Sequence, residues 1–307
     1  MTQTIRHLVA VVFILSLSSV ALAEWSSRNR MELGMTDNAL LTDTNKESDF
    51  FYVFGTRNTL DWNQHVLGLR LGYSDYSKEN ANDVLSWGLS DRLKCFTDKN
   101  CEIELRGQEY VYGEPMTTDS SFSNYGLRLA KEKSLNLRFA SSFDLATTYE
   151  VKNYYSLGRL DHVLSEVATL GYEVSPVLYL EGIGEAGLAL SSASEYSAYF
   201  LQLSGAVEYQ LDAKWTLSGE LGFKQTSFLS RDLTTETQVT RKNGRVVSQV
   251  DRSKEAYSNV FLYFDATRTV FANGSAGVSL QSSQQKSRSG YQDYNELILA
   301  GKFLINY

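Results

Sequence analysis

Apolar and polar residues alternate with a period of two over segments of ten or more residues, from residue 28 to the end of the chain, and no other feature narrows the fold as much. The stretch "YFLQLSGAVEYQL" shows the pattern. Tyr199, Leu201, Leu203, Gly205, Val207, Tyr209 and Leu211 fall on one face, and Phe200, Gln202, Ser204, Ala206, Glu208 and Gln210 on the other. A strand sends alternate side chains to opposite faces, so the pattern reads as β with an apolar side and a wet side. Two prolines against 19 tyrosines and 15 phenylalanines agree with strand.

The length of the alternation identifies the apolar solvent. Tyr199 and Tyr209 stand roughly 33 Å apart along an extended chain. Tilted by about 40°, such a strand covers roughly 25 Å of height, the apolar band of a membrane barrel with an aromatic ring at each interface. Tyr199, Tyr209, Trp215 and Tyr307 are the expected interface aromatics. A soluble sandwich also alternates, but its strands usually run about 5–6 residues. The apolar face is therefore expected to meet lipid, and Gln202, Ser204 and Glu208 a wet interior.

The N-terminus differs from the rest. "MTQTIRH" is a short basic start, "LVAVVFILSLSSVALA" an apolar run, and Ala21-Leu22-Ala23 a cleavage box. Residues 1–23 are expected to be a signal peptide cut before Glu24, leaving 24–307 as one barrel domain. Loss of Arg6 takes the formal charge from -7 to -8, which argues against a nucleic-acid partner. In an oxidising compartment Cys95 and Cys101 of "KCFTDKNC" are expected to form a local disulfide.

Fourteen strand segments are expected, near 28–37, 49–60, 65–76, 83–93, 101–113, 120–130, 135–151, 158–173, 177–191, 196–211, 215–232, 247–268, 274–284 and 293–307. Even-numbered connections are compact: "LDWNQ", "AKEKS", "VSP", "LDAK", "FANG" and the cysteine loop. Odd-numbered ones are longer and more polar, above all residues 229–257, where Asn243-Gly244 signals a hairpin turn. Those long flanks are read either as loop or as strands continuing above the membrane. The expected fold is all-β: a transmembrane up-and-down antiparallel β-barrel of about 14 strands, both termini periplasmic, in the outer membrane of a Gram-negative cell. One segment resists. Within 156–172, Leu157, Leu160, Leu164, Val167 and Leu170 would also line a helix, and a helix there would break the even count.

The polar face defines the candidate pore-lining residues. Strands one to seven offer Arg28, Arg30, Arg57, Arg70, Arg92, Arg106, Arg128 and Arg138, with Glu32, Glu102, Glu104 and Asp144 among them. Strands nine to twelve offer Glu181, Glu185, Glu208, Glu220 and Asp265, with Lys224. A basic wall facing an acidic wall would set a transverse field for polar solutes. Alternatively, the same charges pair and hold the barrel together. Tyr110, Tyr112, Tyr179, Phe261 and Tyr263 share this face, either as a sugar-stacking track or as volume.

Catalytic candidates are few. The histidines after residue 23 are His65 and His162, and His162 has Asp161 and Ser165 nearby in sequence. The expectation is no enzyme and no cofactor, with a lipid-active enzyme as a remote reading.

The last residues, "ELILAGKFLINY", place Phe303, Ile305 and Tyr307 opposite Lys302 and Asn306. They resemble the C-terminal signal by which barrels engage the barrel-assembly machinery. The stretch "GMTDNALLTDTNKESDFFYVFG" and the tyrosine-led hairpin turns resemble the β-barrel porin families encoded beside exopolysaccharide export genes. The resemblance implies a β-barrel in outer-membrane lipid; with the charged interior, the chain reads as a channel or export conduit for small polar solutes or saccharide, with polar solute or polysaccharide as the expected partner. The other reading is a structural or surface-recognition barrel with a plugged lumen.

Overall fold

The structure, a computed structural model, describes residues 24–38, 46–62, 64–78, 83–95, 100–112, 121–137, 140–155, 158–240, 246–290 and 293–307, with backbone alone at 136–137, 234–240 and 246–252. The expected signal peptide, Arg138 and the Asn243-Gly244 turn lie outside the described residues. Fourteen strands form one closed barrel: β1 Glu24–Thr36, β2 Asp49–Trp62, β3 His65–Tyr76, β4 Val84–Lys94, β5 Cys101–Tyr112, β6 Phe122–Leu137, β7 Ala140–Tyr154, β8 Arg159–Ser175, β9 Leu178–Ser191, β10 Ala198–Gln210, β11 Trp215–Thr240, β12 Val246–Phe271, β13 Gly274–Ser287 and β14 Tyr294–Asn306. Each strand pairs antiparallel with its sequence neighbours, and β1 pairs with β14. In hydrocarbon a strand has no water for its N–H and C=O groups, so closure is what makes a β-sheet viable there.

The faces follow from the register. Paired residues in an antiparallel ladder point the same way. The row through Leu203, Gly184 and Phe223 is apolar and open to the outside, with Leu203 55% exposed. Its neighbours Gln202, Glu185 and Lys224 point inward. Tyr199, Tyr209 and Tyr307 are exposed on the outer face, and the Arg268 guanidinium lies 5.7 Å from the Trp215 ring centre there.

The seam between β1 and β14 is fastened at both ends. At the short-turn end Ser27 and Tyr307 exchange backbone hydrogen bonds of 2.9 and 2.8 Å. At the long-loop end the Leu297 N–H donates to Asp37 Oδ1 at 2.6 Å, Asn38 Nδ2 donates to the Asn295 carbonyl at 2.7 Å, and Thr36 Oγ1 donates to Glu296 at 3.0 Å. Asp49, 1% exposed, accepts from the Phe50 and Lys78 N–H groups and the Ser77 hydroxyl, tying β2 to the end of β3. The Asp37-Asn38 pair and Asp49 are the residues that carried the family resemblance, and their work in this chain is to clamp the rim.

Two expectations need correction, and one open reading is resolved. "AKEKS" is strand: Lys131 pairs with Leu145 and Glu132 with Asp144, so β6 runs on to Leu137 and the connection to β7 falls at 138–139. The polar residues misled because the strand continues past the lipid, where charge costs nothing. Of the two readings of 229–257, continued strands hold: β11 and β12 remain paired out to Thr240 and Val246 beyond a register shift between Ser227 and Asp232. The seventh connection spans only Tyr155–Gly158, with Gly158 at φ 58°, a left-handed conformation that glycine adopts without strain.

The doubtful segment is strand β8. It alternates badly because two polar residues face outward: Tyr149 pairs its hydroxyl with His162 Nδ1 at 2.7 Å, and Thr147 donates to Glu166 at 2.7 Å. The short 3-10 turn Ser194–Tyr196 is the helical element among the described residues.

Three outcomes are expected. Asp49→Ala leaves three donors unsatisfied and should cost about 3 kcal/mol in equilibrium denaturation. Asp232→Ala removes an ion pair to Lys254 at an exposed site of the tall hairpin and should cost less than about 1 kcal/mol. In the β10–β11 turn, the N–H groups of Lys214 and Trp215 hold the Asp212 carboxyl below the usual carboxylate range. A depressed folded-state pKa supports the turn above its ordinary value of 3.8, and that support is lost as pH falls through the folded value. Amide exchange at Lys214 and Trp215 should accelerate over that window in acid, and Asp212→Asn should remove the pH dependence.

Candidate functional site

Backbone alternation and register place Arg57, Arg70, Arg92, Arg106 and Arg128 on the inner face from β2 to β6, and Glu181, Glu185, Glu208, Glu220 and Asp265 on the inner face from β9 to β12. Arg28 lies opposite Arg57, and Arg57 opposite Arg70, so three guanidiniums share one row across β1, β2 and β3. Arg92 and Glu104 also lie within electrostatic reach of Arg57.

The pairing is selective. Arg106 donates to Glu150, Arg92 lies 3.9 Å from Glu102, Arg30 pairs with Glu32, and Lys302 with Asp265. Each of these joins residues of one strand or of strands no more than two apart. Among the described residues no ion pair joins the arginine wall to the glutamate wall. Among the described residues, Arg28, Arg57 and Arg70 have no carboxylate within ion-pair distance, and Glu181, Glu185, Glu208 and Glu220 no cation. Asp265 differs from the other four acids, since Lys302 and the Thr267 hydroxyl hold it.

The inward aromatics divide into two groups. Tyr179 and Phe261 lie against the inner wall: a Cβ on Gly171 would meet the Tyr179 hydroxyl at 2.1 Å, and one on Gly222 the Phe261 ring at 2.1 Å. Each ring covers a glycine on the neighbouring strand and so fills volume. Toward the long loops, a continuous stack runs round part of the rim. Tyr110 stacks on Phe122 at 4.7 Å, and Phe122 meets Tyr154 at 5.2 Å. The Arg159 guanidinium lies between the Tyr154 and Tyr196 rings, 3.8 and 4.0 Å from their centres. Arg231 then spans Tyr196 and Phe228 at 5.1 and 4.0 Å and donates to the Tyr257 hydroxyl at 2.7 Å.

Arg159, Tyr196 and Arg231 were not among the sequence candidates. Arg159 opens the ambiguous segment and Tyr196 sits in a connection. Arg231 is turned inward by the irregularity after Ser227, which breaks the period-two parity. A run of poorly alternating polar residues at a strand end was the available signal.

The catalytic candidates do not assemble. Asp161 and Ser165 pair with Lys152 and Thr148 on the inner face, whereas His162 points outward to Tyr149. His65 is outward too, 3.0 Å from Asp91. A disulfide joins Cys95, just past β4, to Cys101, the first residue of β5, with Cα atoms 5.3 Å apart.

No protein-family model matches the sequence, and no curated protein matches it. Solved structures do match. A bacterial polysaccharide outer-membrane secretin superposes with a TM-score of 0.58 at 10% identity, covering 94% of this chain and 100% of that one. The outer-membrane channel DcaP of Acinetobacter baumannii gives 0.50 at 10% identity, covering 94% and 99%.

Tyr196→Ala should release Arg159 and Arg231 together, speeding proteolysis and amide exchange across 192–197, while Tyr199→Ala on the outer face should leave both unchanged. At this identity the likeness speaks for architecture alone: the chain has the fold of the porin-like β-barrels of the outer membrane.

Proposed function

We propose that the protein is an outer-membrane channel or export conduit for small polar or charged solutes or saccharide, working without a cofactor. The observation that carries this is the separation of inward charge: arginines on β1 to β3 and glutamates on β9 to β11, with no ion pair between the two walls among the described residues. Charges meant to brace the barrel would pair, because an unpaired charge in a low-dielectric setting is expensive. Charges facing water across a lumen stay solvated and create a transverse field. Such a field orients dipolar solutes and disfavours apolar ones. The two superposed structures, one named a polysaccharide secretin and the other a channel, support the same reading.

On this reading residues 1–23 direct export and are removed near Ala23, the termini and short turns face the periplasm, and the C-terminal strand engages the barrel-assembly machinery. Refolded full-length protein in planar bilayers should give discrete conductance steps in KCl. Under a salt gradient, Arg70→Gln should shift the reversal potential toward cation preference and Glu220→Gln toward anion preference. A correctly folded but silent barrel would overturn the channel reading in favour of a plugged, surface-displaying one.

A further inference from the structure

Building on the channel reading, we infer that the arginine row Arg28–Arg57–Arg70 and the hollow beside it form a binding site for an acidic saccharide, a polyhydroxylated solute bearing carboxylate or phosphate groups. Adjacent strands are about 4.8 Å apart, so the three guanidiniums span about 10 Å of inner wall in a line. Like charges directly opposite each other destabilise a sheet. A row of three with no carboxylate within ion-pair distance among the described residues is a cost that an incoming oxyanion would relieve.

The row borders a hollow of about 460 Å³. Small-molecule sites run roughly 300–1,000 Å³. Gly55 opens it, while Ser86 and Gln108 lie over the neighbouring inward glycines Gly72 and Gly88, 2.7 and 2.8 Å from where a Cβ would stand. Gly55 lies opposite Gly72 on the next row, and Gly88 lies opposite Arg70. A Cβ on Gly55 would meet nothing closer than the Leu71 carbonyl at 3.8 Å, so the space above it is open.

The far side of the hollow is neutral and polar. It presents Ser86, Gln108 and Tyr110, and the Tyr110 hydroxyl donates to Gln108 Oε1 at 3.1 Å. That bond leaves the Gln108 amide N–H groups and the Tyr110 oxygen lone pairs available. Guanidiniums on one side, with neutral donors and acceptors on the other, match a ligand with oxyanions along one edge and hydroxyls along the other. A bare inorganic anion would use only the first half of the site, and a neutral sugar only the second. Arginine suits the first half because its planar fork meets carboxylate and phosphate with paired hydrogen bonds.

The test uses the refolded full-length barrel with an oligoglucuronate, a neutral glucose oligomer of equal length, and inorganic phosphate as probes. The oligoglucuronate should block single-channel current in a concentration-dependent way, at concentrations where the neutral oligomer and phosphate do not. Arg57→Gln should raise the half-blocking concentration about tenfold, and Arg57→Gln with Arg70→Gln about a hundredfold, one charge-assisted contact being lost at each step. Gly55→Leu keeps every charge but fills the hollow, and should abolish the block. Equal block by the neutral oligomer, equal block by phosphate, or indifference to these substitutions overturns the inference.

The two readings fail separately. If the barrel is silent in KCl, equilibrium dialysis of labelled oligoglucuronate decides: binding lost in Arg57→Gln keeps the site without the channel, and no binding removes the site. Denaturation of Arg70→Gln distinguishes a structural role. Relief of like-charge repulsion should leave stability equal or higher, and a marked loss would mark the row as structural and overturn its assignment to a ligand.

Discussion

Everything in this barrel depends on the pairing of β1 with β14. A sheet in hydrocarbon has no edge strand it can leave open, because each unpaired N–H or C=O costs several kcal/mol there. The seam is therefore secured twice, by reciprocal backbone bonds between Ser27 and Tyr307 at one end and by Asp37 and Asn38 holding β14 at the other. Once the cylinder is closed, alternation alone decides what meets lipid and what meets water. The interior chemistry needs no further scaffold, since each inward side chain is placed by its register with two neighbours.

That placement explains why the charges do not cancel. Cross-strand ladders bring near neighbours together, so the pairs that form are local: Arg106 with Glu150, Arg92 with Glu102, Lys302 with Asp265. The walls of β1 to β3 and β9 to β11 are separated round the ring by intervening strands, and among the described residues no ion pair joins them. The same geometry puts three arginines, Arg28, Arg57 and Arg70, side by side on the inner face. Nearer the long loops the solution is different. There Arg159 and Arg231 are sandwiched by tyrosine and phenylalanine rings, which face the cations with their negative π-clouds.

Much of this was legible in the residues because one face of each strand must be apolar over the full height of the lipid. Leu201, Leu203 and Val207 could not sit anywhere else, and their even-numbered neighbours followed. Legibility ended where that constraint ended. Below the lipid, Lys131 to Ser134 looked like a turn because charge there carries no penalty. In β8, His162 and Glu166 disguised a strand because Tyr149 and Thr147 satisfy them on the outer face. Above the lipid, one irregularity after Ser227 reversed the parity and hid Arg231. The clamps at Asp37, Asn38 and Asp49 were visible as a motif, but only their partners on β14 and β3 reveal what they do.

The tall hairpin has a consequence of its own. β11 and β12 have 26 residues each, twice the 13 of β10, so roughly half of each strand stands clear of the rim. A strand buried on one face has its register policed by that face, because a slip of one residue would turn every apolar group the wrong way. A strand segment that leaves the lipid and pairs on one side only has less of that policing. The outer half of this hairpin is held by ladder pairing, with one ion pair between Lys254 and Asp232 at its base among the described residues, which many sequences can supply. The first surface that anything approaching the long-loop end would touch is thus also the part of the chain freest to drift, able to change its face to the outside while the cylinder beneath keeps its residues.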